Sequence, residues 1–494
     1  MEGILKNLRR CDKAAVKHKQ RELSYAKLIR VVDGVAAMVR GYGIREENVG
    51  ILGDNSLQFV TALLGVSVAA NTCVLLNRRS VFRELAKEVQ YCDVNWIVCE
   101  PCDLGLATAI RKIHGTGICV IDNGLQVSCY ATPFCRFQRC NSSDIAFLLH
   151  TSGSTNSPKR VMLTHNNILA NVDSSANLLP YGSDERFLLS LPIHFVTALT
   201  CQFLLTLAIG GTLILYDELV FNVRRFHEIL DVEQITLYAT VPSIFYILSK
   251  HRLRQSASKH LKYLCVSGGP VSASLLEEIE RRYPSAQVVQ MYGLTECSPR
   301  VSALLPAYAG CKRGSVGKPV RNVQVEIVDA HDQRVRVRET GEIRVKGTNV
   351  MAGYYKNPEE TNRCLREGWC YTGDLGFHDD EGFIYLNGRR KNVIITGGVN
   401  IYPEEVEEVL RELSGIEEAL VMGKEDEAWG EIPIAYLVAN NNPLEAAEIQ
   451  AWLKLRLSVD KHPREYHWIA DIPKTDRGKI HRSALRSQFD GSDV

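Results

Sequence analysis

Apolar and polar positions alternate along this chain on two periods. Short runs rich in β-branched and apolar residues, RFLLSLP (186–192), GGTLILYD (210–217), ITLYATVP (235–242) and LKYLCVSGG (261–269), are interleaved with stretches of helical spacing. After the last run comes SASLLEEIERRYP (272–284), where Ser272 caps an expected helix that ends at Pro284. This is the pattern of parallel sheets covered by helices. From about Val320 the spacing shortens to strand and turn, in VQVEIVDA (323–330), ETGEIRVKG (339–347) and GFIYLNGR (382–389), which predicts a β-rich subdomain. Beyond that the pattern resets to a compact mixed unit. It has a helix entered through Pro403, a strand in EIPIAYLVA (431–439) and a helix in AEIQAWLKLRL (447–457). A domain boundary is therefore expected near Lys391: an α/β chain with a large N-terminal domain, 1–390, and a small α+β C-terminal domain, 391–494.

The two most apolar windows, 59–76 and 203–216, are broken by Asn71–Thr72 and by Gly210–Gly211, where a buried helix is expected to turn into a strand. Neither is expected to span a membrane. At 494 residues and 45% apolar composition the chain can bury more than one core. Lys plus Arg number 58 and Asp plus Glu 57, a net charge of +1, so no overall field recruits nucleic acid or an anionic membrane. A small-molecule partner is expected, and the oligomeric state stays open. The amino-terminal stretch shows no apolar core of signal length and the closing DGSDV no targeting signal, which with fifteen scattered cysteines predicts reduced thiols and a cytoplasmic enzyme. Cys99 and Cys102 form a C-x-x-C followed by Cys119, Cys129, Cys135 and Cys140, but the intervals are irregular for zinc and plain thiols are the expectation.

The candidate chemistry begins at HTSGSTNSPKRVMLTH (150–165). Amides freed by Gly153, the hydroxyls of Thr151, Ser152, Ser154 and Thr155, and the Lys159 ammonium are the groups that wrap polyphosphate oxygens. It is not a P-loop, because Pro158 stands where that motif needs glycine. Alone, such a run reads first as a solvated loop. Four further segments change the picture. QMYGLTECSP (290–299) sets Tyr292, Gly293, Thr295 and Glu296 at a strand end, an aromatic face for a purine and a carboxylate for Mg²⁺. WCYTGDLG (369–376) offers Asp374 on a turn, able to accept from two ribose hydroxyls; LNGRRKNVIITGG (386–398) adds Arg389, and DIPKTDRGKIHRSALR (471–486) presents Lys479 behind a glycine. Taken singly, these read as a turn-former, a surface charge and a solvated lysine.

In this order the five motifs resemble the superfamily of adenylate-forming enzymes: acyl-CoA synthetases, peptide-synthetase adenylation domains and beetle luciferases. The match runs over nearly the whole chain. The resemblance implies that residues 151–159 hold the ATP phosphates, that Gly268, Gly269 and Tyr292 frame the adenine, and that Thr295 and Glu296 sit at phosphate and metal. It also implies that Asp374 and Arg389 hold the ribose. Lys479, from a mobile small domain, bridges the carboxylate and the α-phosphate, Lys391 is the pivot, and Gly397 and Gly398 line the thiol's approach. The implied cofactors are ATP, Mg²⁺ and CoA, or a carrier-protein phosphopantetheine in place of CoA. The chain departs from the family where Asn156 and Arg160 replace glycine and Val399 a polar residue. Arg160 either tightens the phosphate grip or slows the loop.

Amino-acid-activating relatives place an aspartate in the segment matching LPIHFVTALT (191–200), and there is none here. His194 reads first as a core or loop histidine and second as a substrate contact. Phe195, VPSIFYIL (241–248) and SGGPVS (267–272), with Pro270, are expected to line an apolar pocket for a fatty, alicyclic or aryl acid. Three readings stand at this point: an AMP-forming acyl-CoA ligase, a ligase that stops at the adenylate or loads a carrier protein, and a catalytically silent nucleotide binder.

Overall fold

Several helix starts in this chain are set by short hydroxyl side chains. Ser24 accepts from the Lys27 amide and opens Tyr25–Gly41, Ser56 accepts from the Phe59 amide and opens Leu57–Val68, and Ser272 accepts from the Leu275 amide and opens Ala273–Arg282. Each such cap is worth about 1 kcal/mol against alanine. The computed structural model describes residues 11–133, 144–150, 159–216, 221–251, 259–396, 399–426, 429–440, 442–474, 480–482 and 484–485. Thr151, Ser152, Gly153, Ser154, Thr155, Asn156, Gly397, Gly398 and Lys479 lie outside them, as do Cys135 and Cys140.

Helix Leu57–Val68 is buried nearly all round, which is why its sequence shows an apolar run and no stripe. It packs on Tyr25–Gly41 so closely that a Cβ on Gly65 would lie 2.3 Å from Val35 Cγ1. The chain then turns at Ala69–Asn71 into the strand Thr72–Asn77, as the break in the first apolar window predicts. In the second window a π-helical segment, Leu199–Leu204, leads through Leu205–Ala208 to the strand Thr212–Leu215.

The strands assemble into three sheets. The largest, of fourteen strands, has Thr212–Leu215, Arg186–Leu189, Leu237–Thr240, Tyr263–Val266 and Gln287–Gly293 running parallel side by side. It continues antiparallel through Arg300–Leu304 and Ser315–Pro319 into Ile384–Arg389, Trp369–His378, Gly341–Gly347 and Val323–Val328. The expected β-rich run thus exists but is not a separate sheet: Ser315–Pro319 pairs on both sides and carries the ladder across. An eight-stranded sheet around Asn48–Gly53 faces it across the main apolar core. The third sheet, of five strands, lies wholly within 394–468 and has cores of its own. Alternation along Ile416–Asp426 and Gly430–Ala439 sends Ala419, Val421, Ala435 and Leu437 to one face and Leu420, Met422, Ile434 and Tyr436 to the other. Among the described residues no helix is long and apolar enough to cross a membrane, no group of three or more side chains is placed to hold a metal ion, and every cysteine is free.

Candidate active site

The ends of three strands of the large sheet converge on one carboxylate. Asp374 is no turn residue, as the sequence suggested. Gly373 takes the left-handed φ of +71° that a turn would use, yet Trp369–His378 runs on as one strand with Asp374 opposite Arg389. A register shift between Leu375 and Gly376 absorbs the irregularity. Asp374 Oδ2 accepts from the Tyr292 hydroxyl at 2.7 Å, and Oδ1 pairs with Arg389 Nε at 2.8 Å. Burial, then the Asp374 charge, pushes the Tyr292 phenol well above its ordinary range, so it stays a donor. The Arg389 guanidinium is raised chiefly by Asp374. The preceding Gly373 amide is fixed on Glu342 Oε1 at 3.1 Å, and Glu342 in turn pairs with Arg390 at 2.7 Å.

Beyond Tyr292 the strand ends at Gly293, where a Cβ would lie 2.0 Å from the Pro299 carbonyl oxygen, so the return of the chain requires glycine. The short helical turn Thr295–Cys297 carries Glu296. Its Oε1 accepts from the Tyr354 hydroxyl at 2.7 Å, and its carbonyl accepts from the Met351 amide at 2.8 Å. Two buried amides brace the turn from behind. Asn171 and Asn349 each donate Nδ2 to the carbonyls of Cys297 and Arg300.

Lys159 stands at the start of the strand Arg160–Thr164, with its ammonium on the Glu360 carboxylate and 5.2 Å from the centroid of the Tyr354 ring. Tyr354 therefore touches both Lys159 and Glu296. Arg160 resolves differently from either sequence expectation. It is 3% exposed and its Nε pairs with Glu88 at 3.0 Å, so it is spent on packing the helix Phe82–Tyr91. Lys391 lies in the turn Arg390–Asn392 directly after Arg389. Desolvation, then the charges of Arg389, Arg482 and Lys159, lowers its ammonium below the ordinary value.

Gly268, Gly269 and Pro270 form the exposed loop after Tyr263–Val266; Gly268 has φ +95° and Gly269 closes on Pro242. His194 and Phe195 are half-buried at the start of the helical segment from Val196, their rings edge to face at 4.6 Å. The structure thus unites Tyr292, Gly293, Asp374 and Arg389, and joins Lys159 to Thr295–Glu296 through Tyr354. Tyr354, Glu360, Asn171 and Asn349 were not found from the sequence. The strand pair that brings Tyr354 to the site links Val161 to Tyr354, and nothing local announces so long a connection. Only Asn357–Pro358–Glu359–Glu360, a helix-start signal, marked that segment.

The model of the family "AMP-binding enzyme" matches residues 6–355, and that of its C-terminal domain residues 405–479. The 2-succinylbenzoate–CoA ligase of Bacillus licheniformis is 30% identical over 475 residues, 96% of each chain. The feruloyl-CoA synthase of an Amycolatopsis species is 33% identical over 478 residues, again 96% of each. Among solved structures, MenE of Bacillus subtilis in complex with ATP and magnesium ion superposes with a TM-score of 0.84 at 28% identity, covering 98% of this chain and 99% of that one. ATP-bound MatB of Rhodopseudomonas palustris gives 0.89 at 24% identity, covering 99% and 98%, a likeness of fold. Family models over most of the chain, and end-to-end relatives at 30% identity and above, place this protein in the AMP-binding enzyme family, the adenylate-forming acyl-CoA ligases.

Proposed function

We propose that this enzyme activates an aryl carboxylic acid with ATP, releasing pyrophosphate, and passes the acyl group from the acyl-adenylate to the thiol of CoA. The observation that carries the reading is the Tyr292–Asp374–Arg389 constellation beside the Lys159–Tyr354–Glu296 chain: a nucleoside grip next to a phosphate grip. The names of the relatives supply the acid class, since they act on 2-succinylbenzoate, ferulate and indoleacetate. A carboxylate attacking an α-phosphate is anion against anion, so cations and N–H donors must surround the transferring group.

In this reading Thr151, Ser152, Gly153, Ser154, Thr155 and Lys159 hold the phosphates. Gly268, Gly269, Tyr292 and Gly293 frame the adenine, and Asp374, fixed by Tyr292 and Arg389, takes the ribose hydroxyls. Lys479 bridges the acid and the α-phosphate. Glu296 fits Mg²⁺: it is a single carboxylate with one oxygen occupied by Tyr354, and Mg²⁺ takes one or two carboxylates together with substrate phosphates. When bound, the ion offsets charge on the phosphate oxygens. His194, Phe195 and Pro270 line the acyl side. The separate cores of the third sheet support a boundary near Lys391, with a small domain that swings about that residue so that Gly397 and Gly398 meet the thiol. The free cysteines fit a reducing cytoplasm.

A panel of carboxylic acids scored for pyrophosphate release, with and without CoA, tests the reading. Acid-dependent release that turns over with CoA supports it. Release that turns over only with a phosphopantetheinylated carrier protein shifts the acceptor, and no release with any acid leaves a nucleotide binder and overturns it.

A further inference from the structure

The helix Pro242–Lys250 starts against the candidate nucleotide loop: a Cβ on Gly269 would lie 3.4 Å from Pro242 Cγ. Phe245 and Leu248 bury one face of the helix in the large domain. Tyr246 and Lys250, one turn apart, share another, with the Lys250 ammonium 5.0 Å from the centroid of the Tyr246 ring. That face meets the small domain. The Tyr246 hydroxyl donates to Glu417 Oε1, a residue 171 positions away, and Lys250 Nζ approaches the same oxygen to 3.8 Å. Burial, then the bond to Glu417, raises the Tyr246 phenol above its ordinary range, so it stays a donor.

The strand Ile416–Asp426 prepares Glu417 for this contact. Ile416 pairs with Ala439 and Glu418 with Val438, so Glu417 is the extra residue of a bulge, a device that re-aims a side chain. Among the described residues its carboxylate pairs with no cation of its own domain. The neighbouring Glu418, its Cα about 3.8 Å further on, has a different partner. It accepts from Lys474 Nζ at 2.6 Å, and Lys474 forms a β-bridge with Ile480. Lys474 and Ile480 bracket residues 475–479, the stretch that ends in Lys479. Two adjacent carboxylates thus hold the large domain on one side and the root of the lysine-bearing stretch on the other.

We infer that Tyr246 and Glu417 are positioning residues for Lys479: their hydrogen bond docks the small domain on the large one in the arrangement that forms the acyl-adenylate. The inference rests on the acid-activation reading above, in which Lys479 bridges the acid and the α-phosphate, and adds the contact that brings it there. A swing about Lys391 must break this bond, because Glu417, Glu418 and Lys474 travel with the small domain while Tyr246 stays behind. Transfer to the thiol, carried out in the other arrangement, makes no use of it. The Glu417 side chain is 32% exposed, which suits a contact that forms and breaks in every cycle. Its charge can return to water, whereas a fully buried pair would leave a stranded one.

The test measures the two half-reactions separately in wild type, Tyr246→Phe and Glu417→Gln, each shown by its melting curve to be folded, with the acid of the panel that wild type activates fastest. Single-turnover pyrophosphate release should slow about tenfold in each variant, the loss of one charge-assisted hydrogen bond at the low end of its range. Transfer to CoA from supplied acyl-adenylate should keep its wild-type rate or rise. The double variant should be no slower than the slower single one, since either change already removes the bond. Equal slowing of both half-reactions, slowing of transfer alone, pyrophosphate release slowed in fewer than both variants, or losses that add in the double variant overturn the assignment. If no acid releases pyrophosphate from wild type, acid activation itself fails. Docking is then read alone, from the distance between spin labels on non-natural residues at Val232 and Leu455, exposed positions of the large and small domain. With ATP and Mg²⁺, one dominant distance in wild type that scatters in both variants upholds the contact, and identical distance distributions in all three proteins refute it.

Discussion

Asp374 spends one oxygen on a phenol and the other on a guanidinium, and the ribose hydroxyls of ATP would add to those bonds. Charge-assisted hydrogen bonds are worth about 1.5–3 kcal/mol. Asp374→Ala should therefore raise the KM for ATP by about tenfold or more, with the KM for the acid little changed; steady-state kinetics at saturating acid reads it, and an unaltered ATP dependence would move the ribose elsewhere. Lys159 presents the opposite problem, because Glu360 holds its ammonium before any phosphate arrives. The hydrogen bond from Lys159 is the first cause of a Glu360 pKa below the carboxylate norm. The pair is thus fully formed above the ordinary carboxylate value and is lost only as pH falls through the lowered one. At neutral pH an isosteric change, not pH, must open it. Glu360→Gln should lower the KM for ATP by up to about fivefold, the measure of a pair worth about 0.2–1 kcal/mol; a raised KM would mean that Glu360 positions Lys159 and does not compete for it. Lys159, Tyr292, Glu296, Asp374 and Arg389 were singled out in the sequence by the short motifs they sit in, taken together in order, and the structure brings Tyr292, Asp374 and Arg389 onto one another and links Lys159 to Glu296 through Tyr354. Tyr354 and Glu360 were not, since their meaning lies in the distant residues each meets.

Elements were legible where one face is buried and less so where the ladder bends. The helix Ala273–Arg282 and the one entered at Pro403 fall where capping and periodicity put them. The strand through Asp374 was hidden, because Thr372–Gly373–Asp374 has turn composition and it is pairing with Gly341–Gly347 on one side and Ile384–Arg389 on the other that carries the strand through. The β-rich run was read as strands, but its continuity with the parallel sheet through Ser315–Pro319 was not, since sequence spacing carries no information on which edge a strand joins. Helix Leu57–Val68 offers a test at this scale. A methyl at Gly65 would meet Val35 at 2.3 Å, well inside contact distance, and overpacking of this kind costs about 1–3 kcal/mol. Gly65→Ala should lower the melting temperature despite the better helix propensity of alanine. A melting curve at or above wild type would show that the two helices can separate freely.

The whole molecule consists of a large body around two facing sheets and a smaller sheet with its own apolar faces, joined at the cation-rich turn that follows Arg389. An acyl-adenylate hydrolyses if water reaches it, and the proposed swing of the small domain would give one arrangement for its formation and another for its transfer to the thiol. If Lys391 is the pivot, Lys391→Pro should fix its φ near −65° and restrain Arg390, leaving adenylate formation near wild type and thioester formation slowed by an order of magnitude or more. Stopped-flow assays of the two half-reactions, with a melting curve to confirm folding, read this; a folded variant with both rates unchanged would remove the hinge. Lys479→Ala should do the reverse, costing adenylation about 2.7 kcal/mol, or a hundredfold, while transfer from supplied acyl-adenylate survives. The proposed reaction depends on the order of its steps, and a rapid-quench single turnover with enzyme in excess of labelled ATP observes that order directly. The prediction is that acyl-adenylate and pyrophosphate appear together without CoA, one per site, and that on adding CoA the adenylate decays at the rate at which acyl-CoA and AMP form. Labelled ADP with phosphate, or thioester arising with no adenylate before it, would rule out activation through an acyl-adenylate.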